Sequence, residues 1–281
     1  MEIIINVLLG IVLTAGFLIW GVPKLTSFLG RSKETSEPQT ETRALKVSAE
    51  WIRPSTIAGS WYPGKPKELT EMVDGFLEQV KPVYGEPIAL IVPHAGYEFS
   101  GLVAASGFKQ LEGVDYDVAV IIASDHRPPL SNPISVWAKG GFETPLGVVP
   151  VNEDFAKAII ETDPLISFDP DTHQNEHPIE IELPFLQRVS PNCSIVPILM
   201  GSDDDNTVSV LSEALVSVLS KKRGIVIASS DLSHYPASSD ARNVDQATLS
   251  AIEAQLHRHK GPMFFAQPPD RPLITSSYAV N

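Results

Sequence analysis

The chain contains a single cysteine and has fewer basic than acidic residues. Its 281 residues include 21 Lys and Arg against 34 Asp and Glu, for a formal net charge of −13. Cys193 cannot form an intramolecular disulfide, which fits a reducing compartment, and its position just before an apolar run favours a small buried side chain. The acidic balance argues against nucleic acid as a partner, because phosphate backbones bind basic surfaces.

The amino terminus lacks the basic residues that open a secretory signal peptide. Residues 3–22 are almost all apolar, and the first basic residues, Lys24, Arg31 and Lys33, all follow them. This length matches the ~30 Å hydrocarbon core of a bilayer. We therefore expect a transmembrane helix over residues 1–23, with a cleaved signal peptide as the alternative, and a soluble domain in the cytoplasm. Residues 24–50, rich in Ser, Thr and Glu, are predicted to be a flexible linker.

Residues 51–254 are predicted to form one layered α/β domain. Four short apolar runs are typical of buried strands, and they lie at residues 88–92, 118–122, 195–199 and 224–228. Such runs alternating with amphipathic helices predict a mostly parallel sheet flanked by helices. One of these helices is expected to begin at Pro66 and to carry apolar residues on one face as far as Val80.

Three of the four runs end at polar clusters that contain histidine. His94 follows the first run, His126 follows the second, and Asp231 and His234 follow the fourth. Open parallel sheets bind ligands beyond the carboxyl ends of their strands. Two imidazoles on adjacent strands, ~5 Å apart, can reach one metal ion. His94 and His126 are therefore predicted metal ligands, and a purely structural role is the alternative for each.

Asp231 and His234 are predicted catalytic residues at the same edge of the sheet. An aspartate three residues before a histidine can orient the imidazole or act as a general base, although the neighbouring serines could simply cap the next helix. Serine nucleophile chemistry is the weaker alternative, because no Gly-x-Ser-x-Gly motif surrounds these serines. Two histidines with a carboxylate are typical of non-haem Fe(II) enzymes, and zinc hydrolases use similar sets.

A third histidine lies among carboxylates in residues 176–189. His177 and Glu180 are three residues apart and would share one face of a helix, with Glu176 one turn from Glu180. Pro184 would have to lie in the first turns of that helix or at a kink. The segment is either an ordinary solvated face or part of the site, and His177 is a candidate catalytic residue.

Six motifs resemble the Memo family, whose microbial members are called AmmeMemoRadiSam system protein B. In chain order they are Ala-Gly-Ser-Trp-Tyr-Pro at 58–63, Pro-His-Ala-Gly-Tyr at 93–97, Asp-His at 125–126, Glu-Thr-Pro-Leu-Gly at 143–147, Glu-His-Pro-Ile-Glu at 176–180 and Ser-Ser-Asp-Leu-Ser-His-Tyr at 229–235. The resemblance covers about residues 55–253 and leaves out the predicted anchor and linker.

The resemblance implies a fold similar to the class III extradiol ring-cleaving dioxygenases. It assigns metal binding to His94, to His126 and to a cysteine of a later Cys-Gly motif, and it places Asp231 and His234 in the same pocket. Here Ala-Ser-Asp-His-Arg at 123–127 replaces the family's Gly-Pro-Ser-His-His, and no Cys-Gly motif follows residue 253. Residues 255–281 are thus expected to be an atypical tail. The chain is then either a truncated or frame-shifted product or a variant in which Asp125 or Asp231 is recruited as the third ligand.

These observations predict a membrane-anchored protein with one divalent metal ion, Fe(II) in preference to Zn or Cu. The expected activity is that of a metal-dependent oxidoreductase, similar to a dioxygenase, on an unknown small molecule. The alternatives are a non-catalytic scaffold that holds a peptide or protein in the same cleft, and a truncated, inactive family member.

Overall fold

A computed structural model describes residues 49–82, 86–127, 133–219, 223–233, 237–256 and 263–265. The predicted transmembrane segment and nearly all of the predicted linker lie outside these residues, and so does His234. None of the helices in the described ranges combines the length and the apolar character needed to cross a bilayer.

The main sheet contains seven strands of the described residues and is mostly parallel. In chain order the strands of the domain are β1 (Ile52–Arg53), β2 (Ala89–Val92), β3 (Val118–Ser124), β4 (Ile134–Val136), β5 (Gly141–Thr144), β6 (Gly147–Pro150), β7 (Ile166–Ser167), β8 (Ser194–Met200), β9 (Gly224–Ser229) and β10 (Met263–Phe265). The main sheet has the order β10-β2-β9-β3-β8-β4-β7. All pairs from β10 to β8 are parallel, and β4 is antiparallel to β8. The predicted mixed α/β fold is confirmed.

Helices connect the strands and pack on one another. They are α1 (Pro66–Glu78), α2 (Tyr97–Phe108), α3 (Glu153–Ile160), α4 (Pro170–His173), α5 (Leu183–Val189), α6 (Asp205–Leu219) and α7 (Ser238–Leu256). As predicted, α1 begins at Pro66 and buries Leu69, Val73 and Leu77, because proline fits the first turn and these residues share one face. α1, α2 and α5 contact one another, and α3 contacts α6.

Two regions differ from the predicted organisation. The first is the segment that follows β3, whose strands are divided between two sheets. β4 joins the main sheet, whereas β5 and β6 form an antiparallel pair that β1 extends in parallel. The second is the expected tail, from which Met263–Phe265 pairs with β2 at the edge of the main sheet. Pairing there covers backbone groups that an edge strand leaves exposed.

The three strands that precede the polar clusters are neighbours in the sheet. β9 lies between β2 and β3, so Ser229 is opposite Val92 on one side and Ala123 on the other. The expectation that the strands before His94 and His126 pair directly is therefore wrong. The convergence of the three clusters nevertheless holds, because all three strands run in the same direction and end at the same edge.

Candidate metal centre

Three imidazoles converge at this edge of the sheet. His94, His126 and His177 each offer one nitrogen, and these atoms all lie within 4.8 Å of one another. The ring centroids are 5.2 Å apart for His94 and His126, 5.5 Å for His94 and His177, and 4.6 Å for His126 and His177. Neutral imidazole is the commonest ligand of transition metals in proteins, so a divalent ion could be held here.

Asp231 fixes the turn that carries His94. Its Oδ1 accepts hydrogen bonds from the backbone N–H groups of His94, at 2.6 Å, and Ala95, at 3.0 Å. Its Oδ2 lies 3.8 Å from His94 Nε2. The next residue, Leu232, has a φ of +61°, a left-handed conformation that costs energy for a residue with a Cβ. The strained turn therefore places the carboxylate of Asp231, which follows β9, against the imidazole that follows β2.

Glu176 holds His126 through two hydrogen bonds. The backbone N–H of His126 donates to Glu176 Oε1 at 3.1 Å, and its Nδ1 lies 3.2 Å from Oε2. The hydrogen bond to Glu176 raises the pKa of His126 above its ordinary value. Burial would raise the pKa of Glu176, but hydrogen bonding with His126 and Asp125 outweighs burial and lowers it. A carboxylate bonded to one ring nitrogen directs the other towards a metal.

His177 comes from a segment without regular structure between α4 and a 3-10 helix at Glu180–Glu182. Its ring packs against the indole of Trp61, with centroids 4.4 Å apart. Burial lowers the pKa of His177, which favours the neutral form that can bind a metal. Trp61 belongs to the Ala-Gly-Ser-Trp-Tyr-Pro motif, so this contact brings one residue of that motif into the site.

The carboxylates around His177 are buried, so the interpretation of this segment as a solvated helix face is wrong. Glu176, Glu180 and Glu182 are 3%, 0% and 1% exposed. Arg53 pairs with Glu180 at 2.6 Å, and hydroxyl groups of Ser55 and Tyr62 donate to the same carboxylate at 2.6 and 2.8 Å. Burial would raise the pKa of Glu180, but Arg53 outweighs burial and lowers it.

The histidines line a cleft with a volume of about 440 Å³. Two aromatic side chains at the cleft are unusually exposed: Trp61 is 38% exposed and Phe99 is 82% exposed. The lining residues are Ser60, Trp61, His94, Ala95, Gly96, Glu98, Phe99, His126, His177 and Asp231. The cleft thus combines a group of nitrogen ligands with an apolar, aromatic wall.

The other residues singled out from the sequence have different positions. Asp231 lines the cleft, whereas Asp125 lies beside Glu176, and burial raises its pKa to about 6. Within the described part of the chain, the group of mutually close ligand atoms contains imidazoles and neither aspartate. His234 lies outside the described residues, so its catalytic role stays a prediction. Cys193 is buried, as expected, and it precedes β8 at the edge of the sheet opposite the site.

Three residues of the site were not identified from the sequence. The Ser229 hydroxyl lies 2.9 Å from His94 Nδ1 and 2.8 Å from Glu182 Oε1. Arg53 donates a hydrogen bond to the backbone carbonyl of Glu176 and so holds the segment that carries it. The only sequence signal for Glu182 is its position between Ile181 and Leu183. Arg53 precedes the first motif of the resemblance and carries no signal of its own.

The fold and the site define a class of candidate metal-binding proteins, with a mostly parallel α/β sheet, two histidines after the carboxyl ends of its strands and a third histidine from a neighbouring segment. The family model for Memo-like proteins matches residues 53–261. Over 216 residues the chain is 37% identical to a MEMO1 family protein of Thermotoga maritima, covering 72% of this chain and 77% of that protein. It is 34% identical over 215 residues to a MEMO1 family protein of Methanobrevibacter smithii, covering 72% and 76%. The chain belongs to the Memo family.

Proposed function

We propose that this protein binds one divalent metal ion through His94, His126 and His177 and acts as an oxidoreductase on a small molecule in the cleft. The observation that supports the proposal is the approach of the three ligand atoms to within 4.8 Å. With His177 in the set, the site has three protein ligands without the family's cysteine. Asp125 or Asp231 is then not needed to complete it.

The residues present fit a transition-metal ion. Partial burial lowers the pKa of His177 and favours its neutral form, and Glu176 orients His126 in the way that carboxylates orient metal-binding histidines. Imidazole suits iron, zinc and copper. We favour Fe(II), because Asp231 beside the histidines and an open cleft are typical of non-haem iron enzymes. The metal would supply a Lewis acid and a centre for electron transfer.

The lining of the cleft favours a ligand with an aromatic or apolar part. Its volume of about 440 Å³ lies within the range of small-molecule pockets. Trp61 and Phe99 offer ring faces to such a ligand, and Glu98 and Asp231 can accept its hydrogen bonds. The residues described along the cleft include no lysine or arginine, which disfavours a phosphorylated peptide as the occupant.

Metal analysis of the purified full-length chain tests the proposal. We expect close to one equivalent of iron in the wild-type chain and a large loss of metal in each of His94→Ala, His126→Ala and His177→Ala. The matched control is His173→Gln, because His173 is a buried histidine outside the cluster. Circular dichroism verifies that each variant is folded. Metal content that is unaffected by the three substitutions would overturn the site, and zinc in place of iron would overturn the oxidoreductase activity.

We also propose that residues 3–22 anchor the protein in a membrane and that the domain faces the cytoplasm. The apolar length of the segment and the basic residues after it support this orientation. In cells stripped of their outer layers, protease should leave the domain intact and should digest it once the membrane is opened with detergent. Digestion before the detergent is added would reject the cytoplasmic orientation.

A further inference from the structure

A buried serine hydroxyl connects His94 to a carboxyl group behind the site. Ser229 Oγ lies 2.7 Å from the carbonyl oxygen of Pro178, 2.8 Å from Glu182 Oε1 and 2.9 Å from His94 Nδ1. Ser229, Glu182 and His94 are all buried. The three contacts are of hydrogen-bond length, so the positions of the protons among them can be deduced.

A hydroxyl group has one hydrogen to donate and two lone pairs that accept. The carbonyl of Pro178 can only accept, so the hydrogen of Ser229 satisfies that contact. The other two contacts are hydrogen bonds only if Ser229 accepts both of them. Glu182 must then carry a proton on Oε1, and His94 must carry its proton on Nδ1.

We propose that Glu182 is a neutral carboxylic acid and that Glu182 and Ser229 together position His94 in the Nδ1–H tautomer. This tautomer leaves the lone pair of His94 on Nε2, the form that can bind a metal ion. Glu182 and Ser229 are therefore positioning residues, and their link to metal binding rests on the metal site proposed above.

The surroundings of Glu182 favour its neutral form. Its Oε2 is buried and has no hydrogen-bond partner among the described residues, which would be costly for an ionised carboxylate. The ion pairs of the described residues include none with Glu182, in contrast to Glu180, which pairs with Arg53. Burial, followed by the charge of Asp231, raises the pKa of Glu182 well above its ordinary value, and the contact with Ser229 only partly opposes this rise.

The opposite tautomer of His94 fits the distances less well. Nδ1 would then have to accept from Ser229, and the carbonyl of Pro178 would lose the donor that lies 2.7 Å away. Only the Nδ1–H tautomer satisfies all three contacts of the serine.

Two spectra of the metal-free, full-length chain test the proton positions directly. Near neutral pH, the infrared spectrum should contain the C=O stretch of a protonated carboxyl group that disappears in Glu182→Gln. Nitrogen-15 NMR of the histidine side chains should show His94, assigned by its loss in His94→Gln, with its proton on Nδ1. Absence of the infrared band, or a proton on Nε2, would overturn the proposal.

Metal titration tests the positioning role. Ser229→Ala removes the acceptor of His94 Nδ1–H, and metal affinity should fall about 10- to 100-fold, the usual effect of losing such a partner. The matched control is Ser135→Ala, because Ser135 is a buried serine bonded at 3.1 Å to His173, which lies outside the cluster. Glu182→Gln should retain affinity, since its amide N–H replaces the acid proton.

Equal metal affinity of Ser229→Ala and Ser135→Ala would contradict the positioning role. The two spectra need no metal, so they decide the proton positions even if the wild-type chain binds none. A wild-type chain that binds no metal would overturn the proposed metal site but would leave the proton positions of Glu182 and His94 intact.

Discussion

The buried ion pair between Arg53 and Glu180 holds the segment that carries His177, and the substitution Glu180→Gln tests how strongly. Their charged groups are 2.6 Å apart, and the side chains are 1% and 0% exposed. Arg53 also donates to the carbonyl oxygens of His173 and Glu176, so one guanidinium joins the end of α4 to the approach to His177. Glutamine keeps the shape of the side chain but leaves this guanidinium buried without a counter-charge.

Glu180→Gln should lower the free energy of unfolding by about 3–5 kcal/mol, the usual effect of removing one partner of a buried ion pair. For a domain of this size that corresponds to a fall in melting temperature of roughly 6–20 °C. Since Arg53 lowers the pKa of the folded-state carboxyl, its stabilisation is present above the unfolded value of 4.5 and is lost as the pH falls through the folded value. The difference between wild type and variant should therefore shrink in acid.

Urea denaturation followed by circular dichroism, repeated from neutral to acidic pH, measures this difference. The control is Asp74→Asn, which breaks the exposed pair between Asp74 and Arg188, with atoms 2.7 Å apart. An exposed pair contributes about 0–1 kcal/mol, so the control should be nearly as stable as wild type. If Glu180→Gln is no more destabilising than the control, the Arg53 pair does not hold the segment and the reasoning fails.

Three further substitutions test separate features. Burial lowers the pKa of His173 to about 3, so wild type should lose stability as the pH falls below about 6.5. His173→Gln should remove this histidine's part of the loss in urea titrations, and an unchanged loss between about pH 6.5 and the range where Glu180 titrates would contradict it. Gly101→Ala should destabilise by about 1–3 kcal/mol, because its Cβ would lie 2.5 Å from the ring of Phe76, and an unchanged urea midpoint would contradict this. Phe99→Ala should change the free energy of unfolding by less than about 0.5 kcal/mol. It should weaken the binding of phenol, measured by tryptophan fluorescence, by about 2- to 10-fold. Equal phenol affinities of wild type and variant would show that Phe99 does not contribute to the binding surface.

The strands that position the site were predicted well from the sequence, because the residue patterns that indicate a strand are local. The four apolar runs correspond to β2, β3, β8 and β9, and the alternation with helices identified a mostly parallel sheet. From those two facts, the position of His94 and His126 at one edge follows from topology alone. The pairing order does not follow, since nothing in a run of apolar residues specifies which strand lies beside it, and β9 was not expected between β2 and β3.

The role of residues 176–189 could not be predicted, because it depends on partners distant in the chain. Three glutamates in a short segment are typical of a solvated face unless a buried cation or proton neutralises them. The cation is Arg53, 127 residues before Glu180. The spacing of His177 and Glu180 suggested a shared helical face, whereas the observed segment bends so that the two side chains serve different partners.

The three buried glutamates meet three different electrostatic conditions, and this difference explains how one acidic segment can lie beside a group of histidines. Glu176 faces His126, Glu180 faces Arg53, and Glu182 faces only the hydroxyl of Ser229 among the hydrogen-bonding partners described for it. Each arrangement offsets the cost of burying a negative charge. An imidazole does so for Glu176, a guanidinium for Glu180 and, as we propose, a proton for Glu182. Because each glutamate has a different partner, the segment can carry His177 to the other two imidazoles without burying an uncompensated negative charge.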